Sequence, residues 1–143
     1  MSVVFDTSVL VAGLVEAHPA HRAAFPWIRR VQAGQLRGLM AVHSLAETYS
    51  VLTTLPHQPR IAADAALRLI RRSLRRFKLV SLGARDYSAT VRTMAEARLV
   101  GGIIYDALVA RAAAKSRAEA ILTLNRRDFD RLAPLFGVKV RAP

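Results

Sequence analysis

Short apolar runs of strand length recur along this chain, and between most of them lies a pattern of helical period. "SVVF" (2–5), "GLMAV" (38–42), "FKLVSL" (77–82), "AILTL" (120–124) and "VKV" (138–140) are the strand-like segments. Helical patterns fill the intervals: "SVLVAGLVE" after the first run, then 20–33, 44–55, 60–76, 84–98, the stretch following Gly101 and Gly102, and "RRDFDRLAPLF". Each crossover is long enough to return the chain to the edge where the previous strand began. Strands alternating with helices in this way build a mostly parallel sheet covered on both faces. The expected fold is therefore α/β, a three-layer α/β/α sandwich around a central sheet of four or five strands. A length of 143 residues suits one domain, here 1–143, with a real core.

A parallel sheet ends all its strands at one edge, and ligand sites form in the crevice there. That rule sorts the ten acids of the chain. Asp6 follows the first strand directly. Glu47 is expected in the first turn of the helix leaving the second strand, and Asn125 and Asp128 follow strand 120–124. The helix carrying Asp106 precedes that strand and runs antiparallel to it, so its N-terminus reaches the same edge. Asp106 also shares a stripe with Val109, Ala110 and Ala113, at i, i+3, i+4 and i+7. A carboxylate leaning toward a core is costly unless it is paired, hydrogen-bonded or bound to a cation.

Each of these acids has a plainer explanation. Asp6 fits a helix cap, Ser44-Leu45-Ala46-Glu47 matches a capping box, and Asn125-Arg126-Arg127-Asp128 nearly does. Asp106 would suit a helix N-terminus on dipole grounds alone. The edge rule also selects Asp86, after strand 77–82, and only the strand order decides which acids are central. Asp64, Glu96, Glu119 and Asp130 read as solvated surface charges.

Charge narrows the partner. Twenty-two basic residues against ten acids give a net charge of +12, which points to a polyanion. A codon bias toward arginine would explain its excess over lysine but not the scarcity of acids. In "RLIRRSLRRF", Arg68, Arg71, Arg72, Arg75 and Arg76 form one helical face opposite Leu67, Ile70, Leu74 and Phe77. That face is either simply solvated, a contact for the backbone of a nucleic acid, or a docking surface for an acidic partner. No apolar run approaches the roughly 18 residues of a membrane span. The start of the chain lacks the basic region of a signal peptide, and there are no cysteines for disulfides or thiolate metal sites. These features suit the cytoplasm. His18, His21, His43 and His57 form no metal-binding motif, although His43, four residues before Glu47, could face the cleft.

"VVFDTSVLVAGL", "HSLAETYSVLTTLP", "GGIIYDALVARAA" and "ILTLNRRDF" together resemble the successive motifs of the PIN-domain ribonucleases, in their order and at similar separations. Within that family the chain is most similar to the VapC-type toxins of toxin–antitoxin modules. The resemblance matches the family's most dependable acids to Asp6, Glu47 and Asp106. It departs where many members carry an aspartate and this chain has Asn125. The fourth position is filled either by Asn125, as a neutral ligand or water-holder, or by Asp128 from the next turn.

Several carboxylates in one place repel, and a hard divalent cation is the economical remedy. An all-oxygen donor set suits Mg²⁺ or Mn²⁺. Asp6 and Asp106 are expected to hold the ion directly, with Glu47 and Asp128 acting through water or a second ion, and with Ser8 and Thr123 orienting ligands from behind. Such an ion would activate water for in-line attack on a phosphodiester. The resemblance further implies RNA as substrate, products with 3′-hydroxyl and 5′-phosphate ends, a homodimer, and a cognate VapB-type antitoxin that inhibits the site. Other readings are a PIN nuclease of RNA processing outside such a module, a non-catalytic basic RNA-binding module whose acids are all caps, and phosphoryl transfer through a nucleophilic aspartate. The last is disfavoured because "DTS" lacks a second acid.

Overall fold

The computed structural model describes residues 1–143. Its elements run β1 (Ser2–Phe5), α1 (Thr7–Leu14), α2 (His21–Gln32), β2 (Arg37–Ala41), α3 (Val42–Thr54), α4 (Ala63–Leu74), β3 (Lys78–Val80), α5 (Ala84–Glu96), α6 (Ile103–Ser116), β4 (Ala120–Leu122), α7 (Arg126–Phe136) and β5 (Val140–Arg141). The five strands form one sheet in the order β3-β2-β1-β4-β5, and every pairing is parallel. The expected α/β architecture is thus observed.

Alternation along the strands builds the two halves of the core. Val3 and Phe5 of β1, Met40 of β2 and Leu122 of β4 face one layer, where they pack with residues of α1 to α4 such as Leu10, Ile28, Leu52 and Ile70. Val4, Leu39 and Ile121, one residue out of phase, face the layer of α5 to α7 and meet Met94, Val109 and Phe129. Buried on both faces, the central strands carry almost no polar side chain, as a doubly covered parallel sheet requires. Phe5 is fully buried and meets Phe77 edge to face at 4.9 Å; truncating it to alanine would cost roughly 3–5 kcal/mol. Gly38 lets that layer close on β2. A Cβ there would lie 2.7 Å from Val31 Cγ2 and 2.9 Å from Phe77 Cε1.

Two boundaries differ from the sequence reading in ways that bear on function. Helix α3 begins at Val42, straight out of β2, with extended Ala41 as its cap. Ser44 therefore lies inside the helix with its hydroxyl buried and unpartnered, and Glu47 stands in the second turn rather than the first. The capping-box motif is local, and the direct strand-to-helix turn overrides it. The last strand is Val140–Arg141 rather than 138–140 because Ile121 and Leu122 pair with those two residues.

Candidate active site

β1 and β4 are neighbours at the middle of the sheet, and the site grows from their ends. The Asp6 amide closes the sheet by donating to the Leu122 carbonyl at 3.0 Å, and the Asp6 carbonyl accepts from Val9 and Leu10 to start α1. Its side chain makes no cap bond. Instead Oδ2 accepts from Ser8 Oγ at 2.6 Å and from Thr123 Oγ1 at 2.9 Å. Those hydroxyls accept in turn from the Leu124 and Asn125 amides, at 3.1 and 2.9 Å. The loop leaving β4 is thereby wired through two hydroxyls to one oxygen of Asp6. Oδ1 takes no hydrogen bond from the protein and is left for a ligand.

Gly101, at φ +78°, turns the chain sharply ahead of α6 and sets Asp106 in that helix's first turn. Asn125 Nδ2 donates to Asp106 Oδ2 at 3.3 Å and to Asp128 Oδ2 at 2.9 Å. Turning the amide over would set its oxygen against two carboxylates, so the donor orientation is the one electrostatics requires. Asn125 is the cap residue of α7 by position, yet its side chain serves the acids rather than the helix. Asp6, Glu47, Asp106 and Asn125 line a common cavity of ≈ 550 Å³ together with Thr7, Ser8, His18 and Leu124. Asp6 is buried at its floor, Asp106 is half-buried, and Glu47 stands exposed at the rim.

Crowding is visible in the proton affinities. Burial, followed by the charges of Asp6, Asp128 and Glu47, pushes the Asp106 carboxyl up to about 7, against a weaker opposing pull from Asn125. Glu47 is raised as well, first because its carboxyl loses part of its solvent to the cleft although the residue is open at the rim, and second by the Asp6 charge. The nearby Thr7 hydroxyl, which closes no hydrogen bond to it, pulls the other way. One protein cation meets the group, Arg131 on Asp128 at 3.8 Å, and none pairs with Asp6, Glu47 or Asp106; Arg126 pairs with Asp130 at 3.0 Å. Yet no three His, Cys, Asp or Glu side chains close tightly enough on one point to chelate an ion by themselves. Oxygen donors of this kind, mutually repelling and not closed, fit a hard cation that keeps much of its water and takes one or two carboxylates.

The strand order removes Asp86 from the group. It follows β3 at the edge of the sheet, where its carboxylate accepts from the Gly83 amide and binds Lys115 Nζ at 2.7 Å. The arginine face of α4 is also elsewhere. Arg72 and Arg75 line a separate cavity with His21, Phe25 and Arg29, Arg76 donates to the Gln32 carbonyl, and Arg68 pairs with Asp64. Two residues of the site region are not among those the sequence singles out. Thr7 carries a buried hydroxyl without a partner, and Tyr105 lines a side cavity with His43, Gly102, Glu47 and Asp106. His43 is partly buried and burial depresses its proton affinity, the Tyr105 backbone and the Asp6 charge opposing. A tyrosine set beside the one acid of an otherwise apolar helix start is the signal the sequence offers.

Comparison with known proteins agrees with this geometry. Residues 3–135 match the PIN domain family. Ribonuclease VapC27 of Mycobacterium tuberculosis is 42% identical over 114 residues, covering 80% of this chain and 78% of the relative. Ribonuclease VapC40 of the same species is 37% identical over 122 residues, 85% of each chain. Among solved structures, VapBC2 from Rickettsia felis, bound to a DNA fragment from its promoter, superposes with a TM-score of 0.71 at 16% identity over 100% of this chain and 99% of that one. The sarcin–ricin loop cleaving toxin VapC20 of M. tuberculosis gives 0.63 at 17% identity, over 83% of this chain and 86% of that one.

Proposed function

The chain belongs to the PIN-domain family, with VapC ribonucleases among its relatives, and from that premise we propose a metal-dependent endoribonuclease of the VapC toxin type. One observation carries the reading. Four carboxylates from separate parts of a chain of net charge +12 gather near the central strand ends, where burial first, and then the charges of Asp6, Asp128 and Glu47, raise the proton affinity of Asp106. Helix caps need no such gathering.

Asp6, through Oδ1, and Asp106 would hold Mg²⁺ or Mn²⁺ directly, with Glu47 and Asp128 reaching it through water or a second ion. A bound divalent cation supplies a Lewis acid for phosphate oxygens and lowers the proton affinity of water for in-line attack. The protein's own contribution is positioning. Ser8 and Thr123 hold Asp6 through Oδ2, which would leave the other oxygen for the ion. Asn125 holds Asp106 and Asp128 together through one amide without adding charge. Glu47, at the rim, would act on water entering the cleft, either as a ligand reached through that water or by accepting its proton.

RNA is the substrate this reading names, cut to 3′-hydroxyl and 5′-phosphate ends in the cytoplasm. A VapB-type antitoxin partner is supported by the likeness to toxin–antitoxin structures, among them a complex from Klebsiella pneumoniae with a TM-score of 0.60 at 19% identity over 89% of each chain. Inhibition by that partner and a homodimeric assembly complete the proposal. No helix is long and apolar enough to cross a membrane. The test is incubation of an RNA panel with the purified protein in Mg²⁺ or in EDTA, with Asp6→Asn alongside. Cutting should require Mg²⁺ and vanish in the variant. Cutting indifferent to chelation, or surviving in Asp6→Asn, would overturn the metal mechanism.

A further inference from the structure

Resting on the reading of this cleft as an RNA-cutting site, we infer that Tyr105 forms a nucleobase-stacking subsite beside it. Tyr105 is 61% exposed although it sits in the first turn of a helix otherwise packed into the core. Its hydroxyl makes no hydrogen bond, and its ring pairs with neither another aromatic nor a cation, whereas Phe5, Phe25, Trp27 and Phe136 all do. Tyr49 and Tyr87 are also exposed and unpaired, but neither lines the acidic cleft or the side cavity beside it.

Position gives it a use. The side cavity it lines, ≈ 400 Å³, shares Glu47 and Asp106 with the acidic cleft, so a strand with a phosphate at the carboxylates has a neighbouring nucleotide within reach of the ring. Gly102 lines the same cavity, and the space beside it is open: even a Cβ there would meet nothing within 4 Å. His43 also lines the cavity but is partly buried, with its Nε2 closed off and unpartnered, so the exposed Tyr105 ring is the aromatic surface there that a base can reach. Stacking on a tyrosine is tolerant of base identity and adds affinity without neutralising phosphate. The subsite therefore holds an unpaired base of single-stranded RNA, and its contribution is separate from that of the arginines.

The test measures binding of a short fluorescein-labelled single-stranded RNA and of its abasic counterpart, with Ca²⁺ in place of Mg²⁺ to keep the strand whole while the site retains a hard cation. The protein keeps its native Asp6, with Tyr105, Y105F or Y105A. Y105A should weaken binding of the base-bearing strand by roughly tenfold, Y105F by less than about twofold. The slope of affinity against salt should stay the same, and abasic RNA should not distinguish the variants. Equal affinity of Y105A and the parent for base-bearing RNA would overturn the inference, as would an equal loss on abasic RNA. If the protein cuts RNA in Mg²⁺ while Y105A leaves binding unchanged, the subsite fails and the nuclease reading stands. If no RNA is cut but the base-dependent loss appears, the reverse holds.

Discussion

Asp106 and Asp128 share a single donor, the Asn125 amide, which lies 3.3 Å from one carboxylate and 2.9 Å from the other. On the proposed reading the two alternatives at the fourth position would act together, the amide positioning and the aspartate supplying charge.

Replacing Asn125 by aspartate removes both hydrogen bonds and adds a like charge. In EDTA at neutral pH, Asn125→Asp should melt lower than the parent by the equivalent of roughly 1–3 kcal/mol. Saturating Mg²⁺ should narrow the gap. Thermal denaturation with and without the ion measures both.

The raised proton affinity of Asp106 makes stability depend on pH. Its folded value of about 7 lies above the ordinary 3.8, so between those limits the native state binds the proton more tightly than the unfolded chain does. The stabilisation is complete below the unfolded value and is lost as pH rises through 7. Asp106→Asn has no such dependence. In EDTA its melting temperature should match the parent's near the acid limit and exceed it above neutrality, by roughly 2 kcal/mol once solvent screening is allowed for.

Thr123 is fully buried and serves two partners, donating to Asp6 and accepting from the Asn125 amide. Thr123→Val keeps the shape, leaves the Asn125 amide unsatisfied and takes from Asp6 Oδ2 one of its two donors, Ser8 remaining. A loss of about 1–3 kcal/mol in stability is expected, together with a fall in kcat of roughly tenfold as Asp6 is held less firmly. Steady-state kinetics beside denaturant unfolding separates the two effects.

Much of this site is legible in the sequence because it follows from periodicity. Alternating strands and helices force a parallel sheet, and a parallel sheet brings Asp6, Glu47, Asp106 and Asp128 to one edge. What periodicity cannot supply is lateral order. Asp86 satisfies the same rule and is set aside only because β3 lies outermost, where Lys115 of α6 reaches it. That order is fixed by packing between distant segments. Likewise, Ser44 and Glu47 spell a cap that is not used, since β2 turns into α3 at once. The hydroxyls of Ser8 and Thr123 read as ordinary turn residues until the fold brings them, from opposite ends of the chain, to the same oxygen of Asp6.

The arginines of α4 lie away from the carboxylates, yet Arg71, Arg72 and Arg75 are exposed. Arg71→Ala combined with Arg75→Ala should weaken RNA binding similarly across sequences and flatten its salt slope by about one for each phosphate no longer neutralised. An unchanged slope would mark that face as solvated only.

A hard divalent cation is proposed to make this crowd of carboxylates tolerable, and calorimetric titration of Mg²⁺ in buffers of different ionisation heat tests that most directly. Just below pH 7, binding to the parent should expel a fraction of a proton from Asp106; the proton release should vanish in Asp106→Asn, and affinity should collapse in Asp6→Asn. Absence of binding to the parent, or binding that ignores both substitutions, would contradict the account.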